Sequence, residues 1–137
     1  MTYLEIVNAQ LRIDEATRAK PYRDSVGKLT IGVGRNLDDV GLRPDEIDYL
    51  LANDIKVAAQ DARALFPSFD SLTENRKAAL VNMAFNLGYA RLGAFVGLRA
   101  AVAASDFLQA SAHMLNSKWA TQVGNRAERL AKVMREG

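Results

Sequence analysis

Between Arg12 and Arg35 the spacing of apolar residues changes period, in the stretch RIDEATRAKPYRDSVGKLTIGVGR, so a helix must end and a hairpin begin there. Upstream, Thr2 followed by Glu5 reads as a capping box, which predicts a helix from about Tyr3 with Leu4, Val7 and Leu11 as its apolar stripe. Glu15 is the next step on that stripe. After the Pro21 break, PYRD reads as a short strand, and Asp24-Ser25-Val26-Gly27 carries the residues a type I turn prefers at its first and last positions. The return strand alternates. Leu29, Ile31 and Val33 are predicted on one face, with Lys28, Thr30, Gly32 and Gly34 on the other.

That alternation places an acid at a helix end, a second acid at a tight turn and a threonine on the following strand. A carboxylate facing the body of a protein loses solvent, which favours the neutral form that a general acid needs. Asp14 points about 100° away around the helix axis. Taken alone, Glu15 is better read as a solvated residue of a fraying last turn, and Asp24 as a turn former. The nearly bare face around Thr30 points further, because two glycines weaken a strand and close approach of a ligand is a usual reason to accept them. Together these features outline a candidate glycosidase site with a cleft floor.

The order Glu15, then Asp24 in YRDSVG, then Thr30 in LTIGVG resembles the phage-type lysozymes, the T4-lysozyme-like muramidases also called endolysins. The likeness continues through AALVNMAFNLG (Ala78 to Gly88) and SKWATQVGNRAER (Ser117 to Arg129), and it is three separated blocks in one order that make it specific. The resemblance implies an α+β, mainly α, lysozyme-like fold: a small β-hairpin lobe over about residues 16–43, a linking helix over about 44–65, and a larger helical lobe over about 66–137 together with the N-terminal helix 3–15, all in one domain.

The same resemblance implies hydrolysis of the β-1,4 bond between N-acetylmuramic acid and N-acetylglucosamine in bacterial peptidoglycan. Glu15 would protonate the leaving oxygen, while Asp24 and Thr30 hold water on the opposite face of the sugar. Such an inverting arrangement needs carboxylates roughly 6.5 to 9.5 Å apart, against about 5 Å for a covalent, retaining route. By resemblance, Phe85 borders the substrate cleft, although an aromatic in such a helix is usually packing. His113 aligns with a position lining the sugar cleft. Arg126 matches an arginine that pairs with the catalytic glutamate; an ion pair favours the charged carboxylate whereas burial favours the neutral one. The implied protein is a monomer without cofactor or metal, made in the host cytoplasm and released to the wall with the help of a holin, with virion-associated use as a further route. The main competing reading is a lysozyme fold kept as a wall-binding or virion structural module that does not cut.

There are two departures from the family pattern. Arg35 stands where many relatives carry a histidine after the GxG, so a histidine–carboxylate pair cannot form there. The Asn36 to Leu42 segment is short and the sequence stops at Gly137, which implies a smaller sheet lobe and a trimmed helical lobe.

Composition sets bounds around this reading. A chain of 137 residues buries roughly two-thirds of its unfolded surface and needs no metal or disulfide to fold. It has no cysteine and a formal net charge of +2. With a pI near 9.0, it suits approach to an anionic polymer such as a bacterial wall, but the charge is too slight to argue nucleic acid. No long apolar run or signal-peptide pattern is present, so neither membrane insertion nor unaided export is expected. GVGRNL lacks the lysine of a phosphate loop and the third glycine of a dinucleotide fingerprint. No GxSxG elbow or cysteine nucleophile exists, and the lone histidine, His113, has no second ligand spaced for zinc.

Further along, Pro44 opens a helix with Asp45 and Glu46 in its first turn, and Ile47, Leu51, Ile55, Ala58, Ala62 and Leu65 continue at helical spacing until Pro67. Thr73 is predicted to cap a buried central helix ended by Gly88. Asn82 and Asn86 are expected to bond neighbouring loops. The alanine-rich text beyond Leu92 is predicted to break at Gly97 and at Ser105-Asp106, with Ser105 as a cap. Trp119 is expected to anchor the C-terminal segment, and Asn125 to begin a last, basic-faced helix.

Overall fold

A computed structural model describes all 137 residues, which form two compact units, Met1–Tyr49 and Leu50–Gly137. The fold is α+β and mainly α, with eight α-helices and one three-stranded antiparallel sheet. The boundary between the units falls inside a single long helix.

The first unit opens with α1 (Tyr3–Asp14), whose N-terminus is closed by the expected reciprocal cap. Thr2 Oγ1 accepts from the Glu5 amide at 3.3 Å, and Glu5 Oε2 accepts from the Thr2 amide at 2.9 Å. Glu15 is the C-cap, and Ala16 follows at φ 60°. The stripe of Leu4, Val7 and Leu11 is not covered as the sequence suggests: α1 has no buried residue.

The sheet has the order β1 (Arg18–Arg23), β2 (Leu29–Gly32), β3 (Arg35–Asn36). β1 begins before Pro21 rather than after it. The proline is tolerated because β1 is an edge strand and its register against β2 shifts between Arg18 and Tyr22. β2 ends earlier than its alternation predicts. Gly32 and Gly34 take φ of 68° and 67°, so Val33-Gly34 is a turn and Arg35–Asn36 returns as an unforeseen third strand, pairing Ile31 with Arg35. The segment that follows is turn-like and cross-bonded: Asp38 Oδ2 accepts from the Leu29 amide at 2.8 Å, and Asp39 Oδ1 pairs with Lys28 Nζ at 3.2 Å.

Helix α2 (Pro44–Leu65) has the predicted bounds. Only its C-terminal part, Ala58, Ala62 and Leu65, is buried, while Ile47, Leu51 and Ile55 stay exposed. A 3-10 turn at Phe69–Ser71 leads into α3 (Glu74–Leu87), whose amide at Arg76 donates to the Thr73 cap at 3.2 Å and which ends at Gly88. Then come α4 (Tyr89–Gly93), α5 (Val96–Ala103), α6 (Phe107–Leu115), α7 (Lys118–Val123) and α8 (Asn125–Glu136).

The helix break expected at Gly97 falls instead at Ala94-Phe95. Gly97 lies inside α5, where a β-carbon would collide with the ring of His113. The cap of α6 is Asp106, whose Oδ1 accepts from the Gln109 amide at 3.1 Å; Ser105 sits one residue earlier at φ 55°. In this unit α8 packs on α3, α6 and α7, and α5 on α6. Phe66, Leu80, Met83, Leu92, Leu98, Met114 and Met134 are among the largest fully buried side chains of the core.

Two half-buried arginines close helix ends at the edge of that core. Arg99 donates to Leu65 O at 3.2 Å and to Gly93 O at 3.1 Å. Arg76 lies 3.6 Å from the centroid of Phe107 and donates to Met134 O at 2.8 Å and Arg135 O at 3.3 Å. Charged hydrogen bonds to otherwise unpaired terminal carbonyls, plus a cation over an aromatic face, make Arg76 a clamp on the end of α8. Arg76→Ala is expected to lower unfolding free energy by about 2 kcal/mol in urea titrations. A loss under about 0.5 kcal/mol would contradict the clamp.

Candidate active site

Three of the sequence-predicted site residues, Glu15, Asp24 and Thr30, belong to the first unit. Asp24 is placed by the hairpin turn, in which the Gly27 amide donates to Asp24 O at 3.0 Å and the Asp24 amide to Lys28 O at 2.9 Å. One carboxylate oxygen is also committed to the turn: Asp24 Oδ1 accepts from the amides of Val26 at 3.0 Å and Lys28 at 2.8 Å. Oδ2 has no protein partner. Asp24 is thus both the turn former and a carboxylate with a free oxygen held in a fixed direction.

Thr30 lies on β2 opposite Tyr22 on one side and Asn36 on the other, and at 3% exposure it is the one buried residue of Met1–Tyr49. Its hydroxyl donates to Lys28 O at 2.9 Å. That bond consumes the proton and leaves the oxygen lone pairs as acceptors, the polarity needed to receive a hydrogen bond from water. Lys28 therefore serves both groups through its backbone, its amide on Asp24 and its carbonyl on Thr30.

Glu15 is exposed, contrary to the burial its place on the α1 stripe suggests, because α1 buries none of that stripe. Its carboxyl lies against the backbone at Gly34: a β-carbon added there would fall 2.8 Å from Oε2 and 3.0 Å from Cδ and Cγ. A close approach to the bare strand is seen at Gly34, and the group that makes it is the Glu15 carboxyl. Gly32, by contrast, has nothing within 4 Å of such a carbon, and its positive φ itself favours glycine. The signal for this contact was present in the sequence as GVG, without any mark of its partner.

Arg35 and Glu46 form a two-pronged ion pair, with Nη1 to Oε1 at 2.7 Å and Nη2 to Oε2 at 2.6 Å. Glu46 Oε1 also accepts from the Arg43 amide at 2.8 Å, and Arg35 Nη1 donates to Gly41 O at 3.0 Å, so the pair ties β3 to the start of α2 across the intervening loop. With an arginine at this position the pair is an arginine–carboxylate one. No sequence pattern identified Glu46 as the partner, since the first-turn acid reads equally well as a helix-dipole residue.

The remaining sequence-predicted residues lie in the second unit, in two separate pockets. Phe85, half exposed, lines one of ≈ 650 Å³ with Leu51, Ile55, Val81, Asn82 and Arg126. There Arg126 Nε donates to Asn82 Oδ1 at 2.9 Å. His113 lines the other, of ≈ 620 Å³, with Arg91, Phe95, Lys118 and Trp119. Trp119 anchors that region as expected, stacking edge-on against Phe95 at 6.3 Å and donating from Nε1 to Asn86 Oδ1 at 2.9 Å. The two asparagines expected to bond loops thus serve helices instead, Asn82 holding α8 and Asn86 holding α7. No group of three or more His, Cys, Asp or Glu side chains converges to hold a metal ion, and no helix is long and apolar enough to cross a membrane.

The first unit thus carries an acid at a helix C-cap, a turn carboxylate with a free oxygen and a buried hydroxyl on the adjoining strand. The phage lysozyme family model matches residues 12–135, and the chain belongs to that family. Among curated relatives it is similar to probable T4-type lysozyme 2 of Dictyostelium discoideum, 26% identical over 93% of this chain and 92% of the relative. Probable T4-type lysozyme 1 of the same organism is 24% identical over 96% and 94% of the two chains. The chain is also 26% identical, over 93% of its length, to 27% of the pre-baseplate central spike protein Gp5 of Enterobacteria phage T4.

The Arg35–Glu46 pair sets a pH dependence. The Arg35 hydrogen bonds, followed by the Arg43 amide, lower the Glu46 carboxyl from its ordinary 4.5 to about 2. A depressed carboxylate contributes stability that is fully present above the unfolded value and is lost as pH falls through the folded one. Wild type is therefore expected to lose stability relative to Glu46→Gln between about pH 4.5 and about pH 2, with no change in their difference from pH 6 to 8. Thermal melts of the two proteins across that range check it.

Proposed function

We propose that the protein is a muramidase that cleaves the β-1,4 bond between N-acetylmuramic acid and N-acetylglucosamine in peptidoglycan. Glu15 donates its proton to the leaving glycosidic oxygen as an oxocarbenium-like centre develops. Asp24, through its free Oδ2, and Thr30, through its acceptor lone pairs, hold and orient a water for attack from the opposite face, which gives inversion at the anomeric carbon. No cofactor takes part. The observation that carries the reading is the pairing of roles in one hairpin: Asp24 and Thr30 are fixed by the same backbone residue, Lys28, and each keeps its remaining capacity free for water.

The biological setting proposed is lysis of a bacterial host by a monomeric endolysin, made in the cytoplasm and reaching the wall after the membrane is opened by a holin. A mild excess of positive charge, +2, favours approach to the anionic wall. The similarity to part of the phage T4 spike protein favours a second reading, a virion-borne module that grips the wall without cutting it.

The two readings separate in one experiment. Wild type is expected to clear permeabilised Gram-negative cells and to release muropeptides with inverted reducing-end configuration. Glu15→Gln should lose on the order of a thousandfold or more in rate while still sedimenting with purified walls and melting within a degree or two of wild type. Wall binding by wild type without any lysis would select the virion module; full clearing by Glu15→Gln would remove Glu15 from the acid role.

A further inference from the structure

Glu15 owes its position to little besides one contact. Within Met1–Tyr49 its carboxyl makes no ion pair and accepts no hydrogen bond; what it meets is the backbone at Gly34, at a distance no β-carbon could tolerate. The geometry points to Gly34 as a positioning residue for the acid: its missing side chain forms the seat in which the Glu15 carboxyl rests, and the seat belongs to the same sheet that carries Asp24 and Thr30. The inference rests on the reading of Glu15 as the acid.

Three features support a seat rather than a chance approach. Gly34 has φ 67°, a left-handed conformation that fixes how the turn presents its Cα to the helix end. On the other side, Glu15 is the last residue before Ala16, a non-glycine residue at φ 60°. An L-residue is strained there, so the α1 end is held in a bend that the alanine itself disfavours. Finally, the atoms that would collide with a new β-carbon, Oε2, Cδ and Cγ, all belong to the flexible Glu15 side chain and none to backbone. A methyl group at Gly34 would therefore displace the carboxyl and leave the fold largely intact, which separates the positioning role from a structural one.

Gly41 supplies the matched control. It has φ 66°, and a β-carbon there meets nothing closer than Leu37 O at 3.9 Å, so Gly41→Ala carries the same backbone strain without touching Glu15. The two variants are expected to lose similar thermal stability. Only Gly34→Ala should lower kcat, on the order of a hundredfold, since a displacement of about 1 Å costs that much in an oriented reaction. KM should stay within about twofold, because the acid acts on the bond being broken and not on wall capture. Independently of turnover, the ¹³C resonance of the Glu15 carboxyl carbon, assigned by its loss in Glu15→Gln, should move in Gly34→Ala and stay in place in Gly41→Ala. Equal carboxyl resonances in the two variants, or equal kcat values, would overturn the inference. A wild-type protein that hydrolyses no wall while its carboxyl resonance still responds to Gly34→Ala would overturn the catalytic reading and leave the seat standing.

Discussion

In the unit that carries the three candidate catalytic groups, the one side chain removed from water is a hydroxyl. Thr30 sits at the centre of a short sheet that has no apolar core, so directional bonds must hold it in shape. Backbone amides on Asp24 close the hairpin, Asp38 and Asp39 reach back to the strands, and the Arg35–Glu46 fork ties the last strand to the long helix. Polar bonds of this kind contribute little each but are demanding in geometry. A scaffold built from them favours accurate placement over strength.

The second unit follows the opposite logic. Its helices meet through alanines at Ala58, Ala62, Ala79, Ala84, Ala110, Ala127 and Ala131, which permit close approach, and larger residues such as Phe66, Leu80, Met83 and Met114 fill the space between. Where helices end against this core, guanidinium groups cover the leftover carbonyls, Arg99 at the end of α2 and Arg76 at the end of α8. These two basic residues are thus partly structural.

What the sequence could reveal followed the range of the interaction. Local devices were legible: the Thr2/Glu5 box, Pro44 and Pro67 bounding α2, the Thr73 cap, Gly88 as a stop and the Asp24–Gly27 turn each depend on neighbours a few residues away. Glu15, Asp24 and Thr30 were singled out by their order, and two of the three have their local roles in the turn and strand as expected. Contacts across the chain were not legible. Nothing in GVG named Glu15 as its neighbour, nothing paired Arg35 with Glu46, and Gly97 read as a helix break because its real purpose, room for the ring of His113, involves another helix. Burial on α1 was overestimated for the same reason: an apolar stripe shows which face could be covered but not whether it is.

The outer strand of the sheet has a further effect. β1 offers Pro21, which has no amide to donate, and interrupts its own ladder between Arg18 and Tyr22, while Arg18, Lys20 and Arg23 line it with like charge. The opposite margin is a strand of two residues. A second molecule approaching either margin would find too few free amides in register, and at β1 a repelling row of cations as well, so the sheet resists growth into the intermolecular ladders that begin aggregation.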